Sequence, residues 1–167
     1  AGPPGLGYYS YDVGTWHVVS LNSNVNIAAQ VSWLERDLDV NRHRCTVAYW
    51  HSPLYSSGPH GEATAVRDLW RVLYRAGAEL VINGDAHMYE RFALQDHDGQ
   101  LDPVRGLRQF VVGTGGAALH VSRETKINSE VLLMEFGVLK LTLGTDGYEW
   151  EFVSVSGPRD SGSGRCH

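Results

Sequence analysis

Two short stretches carry residues whose types could do chemistry. "CTVAYWH" ends an apolar run in His51, and "LVINGDAH" ends another in Asp85 and His87. Two imidazoles and a carboxylate suit a divalent or trivalent transition metal, because such ions accept nitrogen and oxygen donors of this kind. An ion held there could serve as a Lewis acid and as the source of a hydroxide nucleophile. The idea needs the two run ends to be neighbours in space. Gly84 is expected to let the backbone turn sharply, so that Asp85 and His87 face one volume. The plain alternative is that each is a hydrogen-bonded polar residue at the end of a strand.

Other residues give softer signals. His60, in "SSGPHG", could orient a substrate or protonate a leaving group; otherwise it is an exposed loop histidine. Arg91 could touch phosphate, but "YER" reads better as a structural, ion-paired turn. His17 lies mid-strand and reads as packing. His43, His97 and His120 read as loop residues without a chemical argument, and His167 as part of the tail. "GTGGAA", 113–118, fits a lone G-x-G-x-x-A pattern, but no long helix follows in an early strand–helix–strand unit. Its glycines read instead as a tight loop near the candidate centre.

The elements that would position these residues can be placed coarsely. "YYSYDV" and "TWHVVSLN" are rich in β-formers and meet at Gly14, which predicts a hairpin. "IAAQVSWLERDLDV" puts Ile27, Val31, Leu34 and Leu38 on one helical face, with Asn26 as N-cap. "CTVAYW" is apolar without alternation, as in a strand buried on both faces. "ATAVRDLWRVLYRAGA" predicts a helix burying Val66, Leu69, Trp70 and Leu73 and stopping at Gly77. The strand–helix–strand unit over 45–83 is expected to be a right-handed parallel crossover. It would bring the two histidine-bearing strand ends side by side, at the carboxyl edge where α/β sheets gather their sites. "LRQFVV" is a further strand. "FGVLKLTLGTDGYEWEFVSV" alternates around Thr145-Asp146-Gly147 and predicts a hairpin with one buried face. The fold class is thus α/β, with mixed parallel and antiparallel strands in a two-sheet sandwich flanked by helices. Residues 1–157 read as part of one catalytic domain, and 158–167, "PRDSGSGRCH", as a flexible tail.

The totals bound the function classes. The 167 residues fit one domain with a sizeable core. A net charge of −5 without a basic cluster leaves no nucleic-acid footprint. There is no run of about 18 apolar residues to span a membrane. The Pro/Gly opening "AGPPGLG" reads like a linker inside a longer protein. Cys45 and Cys166 permit one disulfide, which would close a loop of roughly 120 residues and contribute up to about 4–5 kcal/mol. One buried and one loose thiol is the equal alternative.

With "AYWHSPLYSSGPHG", "VINGDAHMYERF" and "RGLRQFVVGTGGAAL" in this order, the chain resembles the second half of a calcineurin-like metallophosphoesterase, in the purple-acid-phosphatase-like group. That family carries its ligands in ordered blocks: an Asp block, GDxxY, GNH(D/E), VxxH and GHxH. Ala48-Tyr49-Trp50-His51 matches VxxH with Ala for Val, and Gly84-Asp85-Ala86-His87 occupies the GHxH block. The resemblance implies a two-sheet fold with outer helices. It also implies a hydrolase of phosphoric mono- or diesters acting through a metal-bound hydroxide at a two-metal site, iron with zinc, manganese or iron. His51 and Asp85 would bind the second metal and His87 the first. Asp85 stands where the family has His, which favours harder metals. The first three blocks are absent, and Asn22 and Asn24 lie in the wrong context to replace them. The chain is therefore expected to be the C-terminal part of a secreted domain, with the N-terminal half or an oligomeric partner completing the site. The alternative is a non-catalytic module of the same fold, with a binding or structural role.

Overall fold

The computed structural model describes residues 2–42, 44–60, 62–122 and 124–167. His43 lies outside the described residues. Among the described residues, ten strands and two α-helices form two sheets and a helical layer. Strands β1 (Tyr9–Val13) and β2 (Trp16–Ser20) form the expected hairpin, with Gly14 at a φ of 60° in the turn. Helix α1 (Ile27–Val40) starts where the Asn26 side chain accepts the Ala29 N–H. Strand β3 (Cys45–Trp50) follows, then a 3-10 turn (Thr64–Val66) and α2 (Arg67–Ala76), which ends at Gly77 in the left-handed region. Then come β4 (Leu80–Asn83), β5 (Tyr89–Phe92), β6 (Arg108–Val112), β7 (Ser129–Leu133), β8 (Gly137–Leu143), β9 (Gly147–Ser154) and β10 (Gly157–Arg165).

The larger sheet has the order β1-β2-β3-β4-β6-β5-β7, with β2, β3, β4 and β6 parallel and the outer strands antiparallel. Both of its faces are covered. On one face Ala48 and Val81 pack with Leu34, Leu69, Trp70 and Leu73 of the helices. On the other, Val47, Leu80 and Phe110 meet Tyr148, Trp150 and Phe152 of the small antiparallel sheet β10-β9-β8. This explains why "CTVAYW" shows no polar alternation: successive side chains point into two different cores.

Two segments differ from the sequence-based expectation, and a third is a strand for which there was none. "YER" is not a turn but strand β5, sandwiched between β6 and β7. "SEVLL" is a strand, β7. The segment 158–167 is not a flexible tail: most of it is β10, paired along the length of β9. Its last cysteine closes a disulfide with Cys45 across 121 positions. Arg91 and the Tyr89 hydroxyl of β5 both donate to Asp160 of β10, as does Trp150 of β9.

Candidate metal centre

The parallel pairing of β3 and β4 sets their carboxyl ends side by side, and the Gly84 N–H donates to the His51 carbonyl. Asn83 locks this edge: its amide donates to the Trp50 carbonyl, and its oxygen accepts from Gln109. Beyond β4 the Ala86 N–H donates to the Gly84 carbonyl across Asp85, which takes a φ of 65°. A three-residue turn of this kind at positive φ stores strain. The sharp turn is therefore made by Asp85 itself. Gly84 has no positive φ, and a side chain there would meet only the His51 ring at ordinary contact distance. Asp tolerates the left-handed region better than most residues.

This geometry brings His51 and Asp85 together, with Nε2 to Oδ1 at 3.4 Å. The His51 ring is 60% exposed, so solvent and ligands can reach it. His87 is held differently. Its Nδ1 lies 2.8 Å from the Ala118 carbonyl, which makes Nδ1 the protonated nitrogen and leaves the Nε2 lone pair free. Its backbone N–H donates to His120 Nδ1, and its carbonyl accepts from the His120 N–H. The two rings stack with centroids 4.0 Å apart, tilted by 16°. His60 joins this group, 4.9 Å from the His120 ring and 6.4 Å from the His87 ring. Burial, reinforced by the His87 and His60 imidazoles, holds the His120 pKa below the usual histidine value.

Two further groups shape the site. Glu90, fully buried in β5, accepts from the backbone N–H and the hydroxyl of Ser57 and so tethers the loop that carries His60. Gly113 touches the turn that carries Asp85 and His87 so closely that a Cβ would lie 2.0 Å from the Ala86 carbonyl oxygen. Of the glycines in 113–116, Gly113 thus serves a close approach, Gly116 takes a φ of 140° in the loop, and a side chain at Gly115 would meet nothing. His120 is the residue the sequence reading missed. Its only signal was its place after those glycines.

The remaining candidates lie elsewhere. Arg91 pairs with Asp160 and Glu130, away from the strand ends. His17 is more than packing: it is buried with Asp12 at 2.7 Å on one ring nitrogen and Asp37 at 2.8 Å on the other. Among the described residues, no three His, Cys, Asp or Glu side chains converge in a geometry that could hold a metal ion. The donors fit as partial sets: an imidazole–carboxylate pair on one side, and an imidazole with a free Nε2 on the other.

No protein-family model matches the chain. Over 118 residues, 65% of its length, it is 36% identical to purple acid phosphatase 15 of Arabidopsis thaliana, covering 22% of that protein. It is 30% identical over 128 residues to purple acid phosphatase 18 of the same plant, covering 71% of the chain and 29% of the relative. The chain thus spans under a third of the length of these relatives. Its fold superposes on purple acid phosphatase PPD1 from yellow lupin (Lupinus luteus) seeds with a TM-score of 0.89, over 98% of this chain and 33% of that one, at 21% identity. GAP50 of Plasmodium, an anchor in the inner membrane complex, superposes with a TM-score of 0.74 over 96% of this chain and 53% of that one, at 15% identity.

Proposed function

Because this chain is a homologue of the purple acid phosphatases, we propose that it contributes to a metal-dependent phosphoric ester hydrolase. In this reading His51 and Asp85 are donors to one ion and His87 Nε2 is a donor to a second. What the ions would supply when bound is polarisation of the ester and acidification of a water. The chain's own residues do the rest. Asn83 and Gly84 fix the edge from which His51 and Asp85 project. The Ala118 carbonyl keeps His87 Nε2 unprotonated. His60, on the loop tethered by Glu90, stands beside the His87/His120 pair and can give a proton to the leaving oxygen. The observation that carries the reading is the His51–Asp85 contact at the joined ends of β3 and β4.

The donor sets are partial, so the reading includes a further segment of the same domain, or an oligomeric partner, that adds the missing donors. Exposed apolar side chains at the edges of the sheets support this: Tyr9, Tyr11 and Val13 of β1, Val138 of β8, and Phe136 just before β8. Residues 1–167 belong on this account to the C-terminal part of the catalytic domain, with β10 integral to it. An extracellular location accords with the disulfide.

Metal analysis after dialysis against Zn2+ or Mn2+ tests the reading. Uptake is expected in the wild-type chain and is expected to fall at least tenfold in affinity in Asp85→Asn. Asn tolerates the same φ, so the unfolding midpoint should not move. Absence of any uptake would sink the reading and favour the second one, a non-catalytic module of the same fold. That second reading rests on the lack of three converging donors among the described residues. Two tightly bound ions and hydrolysis of p-nitrophenyl phosphate by the chain would exclude it.

A further inference from the structure

His120 makes three contacts with a single residue. Its Nδ1 accepts the His87 backbone N–H at 3.0 Å, its own N–H donates to the His87 carbonyl at 2.9 Å, and its ring lies over the His87 ring at 4.0 Å. Two positions earlier the Ala118 carbonyl accepts from His87 Nδ1 at 2.8 Å. The segment 118–120 therefore grips His87 at its backbone, its ring face and one ring nitrogen. Only Nε2 is left without a contact from this segment. The grip also has a chemical requirement. An imidazole whose Nδ1 accepts a hydrogen bond from a backbone N–H must carry its own proton on Nε2, because a proton on Nδ1 would break that bond.

We propose that His120 is a positioning residue. It holds the turn that carries His87 through the lone pair on Nδ1, and thereby keeps His87 in the single tautomer with Nδ1 protonated and Nε2 open to a ligand. His120 itself contacts no ion in this arrangement. Its part is the one that outer hydrogen-bond partners play around ligating histidines, where removal costs about 10–100-fold in metal affinity. The proposal rests on the reading of His87 as a ligand, but its structural half can be read without any metal.

Two variants separate the contacts. His120→Phe keeps a ring to stack on His87 but has no acceptor. His120→Asn places an amide oxygen where Nδ1 lies and has no ring. The first readout is the protonation pattern of the His87 ring nitrogens, from long-range nitrogen–proton NMR correlations on the metal-free chain. Wild type and His120→Asn are expected to show the Nδ1–H tautomer alone, and His120→Phe a mixture with the Nε2–H form. An unchanged tautomer in a folded His120→Phe overturns the proposal. So does a mixture in His120→Asn, which decides the matter alone if the Phe variant does not fold. The second readout is calorimetric titration with Zn2+, where His120→Phe should bind at least tenfold more weakly and His120→Asn near wild type. Equal affinity in all three would overturn the positioning role even if the tautomers differ. If no form binds Zn2+, the metallophosphoesterase reading fails and the tautomer result still decides what His120 does.

Discussion

Glu79 is a buried acid that the site does not use, and it adds a pH dependence to stability. One of its oxygens accepts the Thr46 N–H and the other accepts the His167 N–H. Burial nonetheless pushes its carboxyl up to about 7. A carboxyl that binds its proton more tightly folded than unfolded loses stability as pH rises through the window between the two values. Here that window runs from about 4.5 to about 7, and the loss is on the order of 3 kcal/mol. Urea unfolding across pH 4–8 should show this slope in wild type and a flatter profile in Glu79→Gln. Identical profiles would show that Glu79 titrates normally. Glu79 carried no sequence signal, because its partners lie 33 and 88 positions away. Asp85 and His87 were legible because an apolar run ending in two metal-capable groups is unusual in itself. The sharp turn is expected from sequence at Gly84, since glycine is the residue that ordinarily takes positive φ, and it is made by Asp85 instead.

Among the elements, the central parallel strands and both helices were readable from period and caps alone. The C-terminal strand was not. "SGSGR" has the composition of a linker, but the glycines of β10 have a steric cause. A Cβ at Gly162 would lie 2.4 Å from the Trp150 ring, and one at Gly164 would lie 2.4 Å from the Tyr148 ring. Bulky rings on β9 lie across the backbone of β10, so small residues are required there. What fastens this strand is Asp160, whose carboxylate accepts from Arg91, Tyr89 and Trp150. Burial alone would raise its pKa, but the hydrogen bonds from Arg91 and Tyr89 win and hold it below the usual value. Such a group stabilises above its unfolded pKa, and the contribution is lost as pH falls through the folded one. Asp160→Ala leaves Arg91 facing Glu130 alone and is expected to cost about 3 kcal/mol at neutral pH. It should also remove part of the loss seen below about pH 4. A cost below about 0.5 kcal/mol, the size of an exposed pair, would mean the cluster is decorative.

At the scale of the whole molecule these two acids act in opposite directions. Asp160 weakens the fold in strong acid and Glu79 weakens it towards neutrality, so stability is expected to peak in mild acid, near pH 4–5. The disulfide sits at the end opposite the candidate centre, beside Glu79, whose two oxygens receive the N–H groups that directly follow the two half-cystines. Reduction is expected to lower the unfolding free energy by up to about 4–5 kcal/mol in the loop-entropy picture, as read from urea curves with and without dithiothreitol. Strands β1, β2, β3, β4 and β6 of the large sheet were foreseeable from the strand pattern, whereas β5 and β7 were not. The pairing of the cysteines was not, because two thiols far apart in sequence say nothing about whether they meet.

The same bond has a consequence for damage. Its 121-position span encloses His51, His60, Asp85, His87 and His120. Within that span the exposed stretches 115–118 and 124–127 are natural points of attack for a protease. A single cut at either place severs the backbone between His60 and β8 but releases nothing. The two pieces remain one covalent body, with β9 and β10 still laid against the large sheet. Nicked protein should therefore migrate as one band on a non-reducing gel and as two after reduction. The candidate centre can lose its chain continuity without losing its residues.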